Sequence, residues 1–168
     1  LGDEHPSTVT TRHNLAGVFH DQGDRVTAEA ELRVILDIRR SILGDEHPST
    51  LTTRHNLASV FNDQGDHGAA ESEYRAILGL QRRILGEEHP DTLTTRHNLA
   101  GTYFMMGRRK QAEAEMRAVL TVQERLLGSD HPVTRTTRKN LKDMRLAVPA
   151  SGGRVMWHGP GKRKKKKR

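Results

Sequence analysis

At 168 residues the chain is long enough for one domain, and the absence of cysteine excludes disulfides, thiolate metal sites and a cysteine nucleophile. No apolar run approaches the roughly 20 residues of a membrane span, and the first residues are polar rather than the apolar stretch of a signal peptide, so a cytoplasmic protein is expected. The net charge of +7 equals that of one run, Lys162, Arg163, Lys164, Lys165, Lys166, Lys167 and Arg168, which leaves residues 1–161 formally neutral and places the basic character in the tail.

The chain repeats itself every 42 residues. His5-Pro6 returns as His47-Pro48, His89-Pro90 and His131-Pro132, residues 1–8 are identical to residues 43–50, and Thr-Thr-Arg-His-Asn-Leu-Ala occupies 10–16, 52–58 and 94–100. A period of this size marks a supersecondary unit that buries its apolar face only by stacking on its neighbours. Leu1-Gly2 falls in the same phase as Leu43-Gly44, so the sequence is expected to begin inside a longer array.

Within a unit the signals are those of two helices. In the second copy Pro48 suits a first helical position, where its missing N–H has no partner to lose, and His47 becomes the cap. Leu51, Leu57, Ala58, Val60 and Phe61 then fall at three- and four-residue spacings. Gly65 suits the left-handed stop, Asp66 can cap the next helix, and Ala69, Ala70, Tyr74, Ile77, Leu78, Leu80, Ile84 and Leu85 form its buried stripe before Gly86. Two helices joined by so tight a turn run antiparallel. The pattern predicts seven helices, at about residues 6–22, 24–43, 48–64, 66–85, 90–106, 108–127 and 132–147, in an all-α array of helical hairpins with no sheet. Repeats fall at about 1–42, 43–84 and 85–126, with a capping helix at 132–147. From Val148 the composition cannot support a core, and a disordered basic tail is expected to the C-terminus.

Asn-Leu-Ala-x-x-Phe followed by Gly and then by Ala resembles the tetratricopeptide repeat, and the 42-residue period with Leu-Gly-x-x-His-Pro is similar to its kinesin light chain subclass. The wording at 89–100 also resembles arrays attached to signalling NTPases in actinobacteria. The resemblance covers residues 1 to about 147 and implies a right-handed superhelical solenoid. By it Ala16, Ala58 and Ala100 match the close-packing site of the first helix, Phe19, Phe61 and Tyr103 the aromatic site, and Ala28, Ala70 and Ala112 the small residue of the second helix. The sequence departs from the pattern at Ile35, Ile77 and Val119, where many such repeats carry a small residue. It departs also at Arg12, Arg54 and Arg96, whose stems are expected on the core with their heads in water. In the fourth copy Lys142 and Arg145 replace the buried alanine and the aromatic, as a solubilising cap requires.

The resemblance implies a scaffold for protein partners, with a peptide in a groove lined by the first helices and asparagines that bond its backbone. By position these are Asn14, Asn56, Asn98 and Asn140. A second role is open to the same amides, that of holding neighbouring helices in register. Thr10, Thr52 and Thr94 with His13, His55 and His97 share that face, and His20, Asn62 and Phe104 extend it. The ten histidines invite a metal hypothesis. Equivalent residues of stacked helices lie about 8–10 Å apart, however, and zinc ligands lie about 2 Å from their ion. The histidines are therefore expected to be solvated, and no metal or cofactor is expected. Neither G-x-S-x-G, H-E-x-x-H nor a phosphate-binding glycine loop is present, which points away from an enzyme. The alternatives are a basic-tailed nucleic-acid-associated protein, its tail giving weak, salt-sensitive binding to polyanions, and the sensor region of a larger signalling NTPase.

Overall fold

The computed structural model describes residue 2 and residues 5–146; the tail from Val148, with its seven terminal cations, lies outside the described residues. Seven helices and no strand are present among them: α1 (Pro6–Gln22), α2 (Arg25–Leu43), α3 (Pro48–Gln64), α4 (His67–Leu85), α5 (Pro90–Met105), α6 (Arg109–Leu127) and α7 (Pro132–Leu146). The boundaries agree with the sequence expectation to within a residue.

Short-range chemistry sets those boundaries. Each odd-numbered helix starts at a His-Pro pair, and the histidine folds back so that Nδ1 accepts the amide two residues on, at 3.2 Å from Ser7, 3.1 Å from Ser49, 3.2 Å from Asp91 and 3.3 Å from Val133. Proline fixes the backbone angle that the first turn needs. At the other end of α1, Gly23 takes φ 89°, and the amides of Gly23 and Asp24 return to the carbonyls of His20 and Phe19. Asp24 then serves the next helix, its Oδ1 accepting from the Thr27 amide at 3.1 Å. Gly65 and Asp66 repeat this between α3 and α4. Between α5 and α6 the position of the aspartate is taken by Arg108, and α6 starts with no side-chain cap.

The chain forms two compact units that meet within α4, between Leu80 and Gln81. In the N-terminal unit α1 packs on α2, α2 on α3, and α1 also meets α3. Ala16, Ala28, Ile35, Ala58, Ala70, Tyr74 and Ile77 are buried there almost completely. In the C-terminal unit α5 packs on α6 and α6 on α7, around Ala100, Ala112, Met116, Val119 and Met144. The small residues Ala16, Ala58 and Ala100 are each 0 % exposed, as a close helix crossing requires. Ile84 and Leu85 depart from expectation. Both are exposed, since they sit in the last turn of α4 after the buried stripe has ended.

The repeat arginines also differ from expectation. Their heads are not simply in water: Arg12, Arg54 and Arg96 each donate through Nε at 2.9 Å to a glutamate 19 residues on, Glu31, Glu73 and Glu115. Each bond ties the first helix of a hairpin to its second, and the Arg54 side chain is only 9 % exposed. A guanidinium so nearly buried needs a counter-charge, and the antiparallel hairpin places one beside it. Arg39 makes a further link across helices, donating to the Ser49 carbonyl at 2.9 Å and to Thr53 Oγ1 at 2.6 Å. One period later the position is Gln81 and two periods later Gln123, both buried.

Candidate functional site

In the N-terminal unit four of the groove candidates converge. His13, Asn14, Gly17, His20 and Asp21 of α1, with Asn56 of α3 and Leu32 of α2, line a cavity of about 370 Å³. Spacings of three and four residues put the α1 members on adjoining strips of one helix, and Gly17 leaves bare backbone between them. His13 is held from two sides. The Arg39 guanidinium reaches Nδ1 at 3.3 Å, and the Asn56 amide lies 3.0 Å from Nε2. The two contacts together engage both ring nitrogens, the Asn56 amide facing Nε2 through its Nδ2 nitrogen. Burial, and after it the charge of Arg39, holds the His13 pKa below the ordinary histidine value, so the ring is neutral at pH 7. Asn14 is exposed, and His20 is fixed by Asp63 of α3, 2.7 Å away.

The remaining candidates are placed differently. Thr10 and Thr52 are exposed, but their hydroxyls are turned back onto the carbonyls of Pro6 and Pro48. His55 is half-buried and meets the Tyr74 ring edge-on, with centroids 5.3 Å apart. Asn62 Oδ1 lies 2.7 Å from His67 Nδ1. In the C-terminal unit Thr94, Asn98 and Phe104 are half-buried, and the Arg109 guanidinium stands over the Phe104 ring at 5.8 Å.

His97 overturns the expectation of solvated histidines. It is 1 % exposed, with Nδ1 at 3.3 Å from Thr137 Oγ1 and Nε2 at 3.0 Å from the Asn140 amide. Loss of hydration lowers its pKa to about 4. Asn140 is itself buried, so its amide is spent between α5 and α7 and is not presented to a ligand. Among the described residues no three His, Cys, Asp or Glu side chains gather as a metal site would need, and no helix is long and apolar enough to cross a membrane.

The sequence reading missed the glutamates Glu31, Glu73 and Glu115. Their signal was present, since Arg and Glu recur 19 residues apart in three successive copies. It also missed a division of charge that the neutral sum over 1–161 conceals. Residues 1–80 carry seven Lys and Arg against 13 Asp and Glu, and residues 81–146 carry 13 against eight.

Antiparallel hairpins with a 42-residue period, small residues at each helix crossing and a polar face of amides and imidazoles define an all-α repeat protein of the kind that binds other proteins. A family model of the tetratricopeptide repeat matches residues 7–78 and 52–120, and the chain belongs to that family. Among solved structures it is similar to the nearly identical TPR-like repeats of a Podosopora anserina protein assigned as a kinesin light chain, at 28 % identity. The alignment covers 86 % of this chain and 70 % of that one, with a TM-score of 0.68, and 0.70 for a point-substituted form. BtubC (BKLC) from P. vanneervenii shares the fold at 17 % identity and a TM-score of 0.68, over 90 % of this chain and 70 % of that one. No curated protein matches the chain.

Proposed function

We propose that the protein is a cytoplasmic scaffold that binds rather than catalyses, holding an extended peptide segment of a partner against α1 and α3. The observation that carries this reading is the cavity around His13, Asn14, Gly17, His20 and Asn56. An amide offers a donor and an acceptor together, as a peptide group does. Packed helices lie about 8–10 Å apart, which an extended chain covers in about three residues at roughly 3.3 Å each. Amides on α1 and α3 therefore suit peptide groups about three residues apart. The neutral His13 ring, both of its nitrogens engaged by Arg39 and Asn56, adds a wall that does not select for charge.

A displayed library of random peptides, selected on the purified chain, tests this. Selected peptides should lose about fivefold in affinity on Asn14→Ala, a substitution at an exposed position with no effect on melting, because a single hydrogen bond contributes about 1 kcal/mol. Asn56→Ala should weaken binding too, with a small stability cost from the lost His13 contact. Selected peptides that bind Asn14→Ala and Asn56→Ala as tightly as the parent would exclude this surface.

A further inference from the structure

In the C-terminal unit the excess of cations gathers on α7. Arg135, Arg138, Lys142 and Arg145 follow one another at spacings of three, four and three, so they share one face of a helix and span about 15 Å at 1.5 Å per residue. All four are exposed, as is Lys139 beside them. Arg138 pairs with Glu124 at 2.6 Å, Lys139 with Asp143 at 2.8 Å, and Arg145 lies 3.6 Å from Glu113. Arg135 and Lys142 make no ion pair among the described residues.

The repeat itself shows what this face cannot hold. In α1 and α5 the corresponding positions are Val9, Arg12, Ala16 and Phe19, and Leu93, Arg96, Ala100 and Tyr103, and they belong to the face that receives the second helix. Ala16 and Ala100 are fully buried there, where α7 carries Lys142. A helix seated as closely on α7 would bury Lys142, which has no ion-pair partner among the described residues, away from water, a desolvation that nothing there repays. Residues 147–168 are no better an occupant, because they bring eight more cations and no acid. The ligand must be anionic, with its charges out at the level of the cationic heads. The stripe has no aromatic side chain on which an unpaired base could stack, as single-strand binders use.

We propose that α7 is a docking surface for the phosphate backbone of a nucleic-acid duplex, bound by charge and without sequence readout. Arg135, Lys142 and Arg145 reach phosphates directly. Binding by this means releases counterions, so its salt dependence counts the phosphates engaged.

The test is fluorescence anisotropy of a labelled 20-base-pair duplex of mixed sequence, titrated with the full chain between 50 and 200 mM salt. One variant carries glutamine at all seven positions 162–168, and a second adds Arg135→Gln and Lys142→Gln. The first should still bind at 50 mM salt. The second should lower the slope of log affinity against log salt by about 1.8, at about 0.9 per phosphate contact, and weaken binding at low salt about tenfold or more. Both substituted α7 residues are exposed, so circular dichroism melts should coincide. The exchange Arg135→Lys with Lys142→Arg keeps the charge and should restore binding. Loss of all binding when only 162–168 is neutralised, or an unchanged slope after the α7 substitutions, would overturn the proposal. So would tighter binding of a labelled single strand, or displacement of the duplex by polyglutamate at equal charge concentration, which would assign the face to an acidic protein segment.

Discussion

His13 and His97 lie in the same seven-residue segment, Thr-Thr-Arg-His-Asn-Leu-Ala, yet one borders a cavity and the other is sealed. The difference comes from what covers their helices. On α1 the outer face is open, with Leu15 45 % exposed, while its counterpart Leu99 on α5 is 3 % exposed. No local pattern distinguishes the two histidines, so the burial of His97 was not legible in the sequence. It has a measurable consequence. The folded-state pKa of His97, about 4, lies below the unfolded value of about 6.5. The unfolded chain therefore binds a proton at a pH where the folded chain does not. The contribution to stability is complete above pH 6.5 and is lost as the pH falls from 6.5 to 4, by on the order of 3 kcal/mol. Urea melts at pH 7.5, 6 and 5 should show this decline, and it should flatten in His97→Gln. An equal decline in both proteins would mean that other groups carry it. Arg54 gives a second expectation at this scale. Because it is nearly buried and bonded to Glu73, Arg54→Ala should cost about 1–3 kcal/mol. Arg33→Ala, which removes an exposed partner of Glu29, should stay within about 0.5 kcal/mol.

The helices themselves were legible because most boundaries are encoded within four or five residues: a His-Pro start, a glycine that can turn left-handed, and, before α2 and α4, an aspartate that caps. The links between helices were not, because Arg54 and Glu73 become neighbours only after the chain has reversed. The exposure of Ile84 and Leu85 failed for a related reason, since periodicity states which face is apolar and not how far along the helix that face stays covered. Of the candidate site, the strip on α1 and α3 could be placed by register with the family, whereas the engagement of Asn140 required the position of α7. The caps yield a direct test. Asp24 and Asp66 bond the starts of α2 and α4, and Arg108 leaves α6 without such a bond. Arg108→Asp should raise stability by about 1 kcal/mol, adding a cap and replacing a cation at the positive end of the helix dipole. Asp66→Ala should lower it by about 0.5–2 kcal/mol. Denaturant midpoints that move in any other direction would show that the turn, rather than its cap, sets these helix starts.

For the whole molecule, stability is expected to behave as a sum over hairpins and the interfaces between sequential helices, without one central core. Ala58→Leu should overpack a crossing and cost about 1–3 kcal/mol. The perturbation should stay local, so that amide hydrogen exchange accelerates in α3 and α4 and leaves α6 and α7 at parental rates. Uniform acceleration along the chain would mean that the array unfolds as a single cooperative body.

The near-identity of the copies carries a kinetic hazard. Residues 10–16, 52–58 and 94–100 are the same seven side chains, and the arginine in each finds a glutamate at the same separation. A second helix searching for its partner thus meets several surfaces that it cannot tell apart, on its own molecule or on another. Pairing displaced by one whole period satisfies the same local contacts and leaves a hairpin looped out or shared between chains. Mis-registered and exchanged dimers should accumulate when denatured protein is refolded at high concentration, and dilution should suppress them.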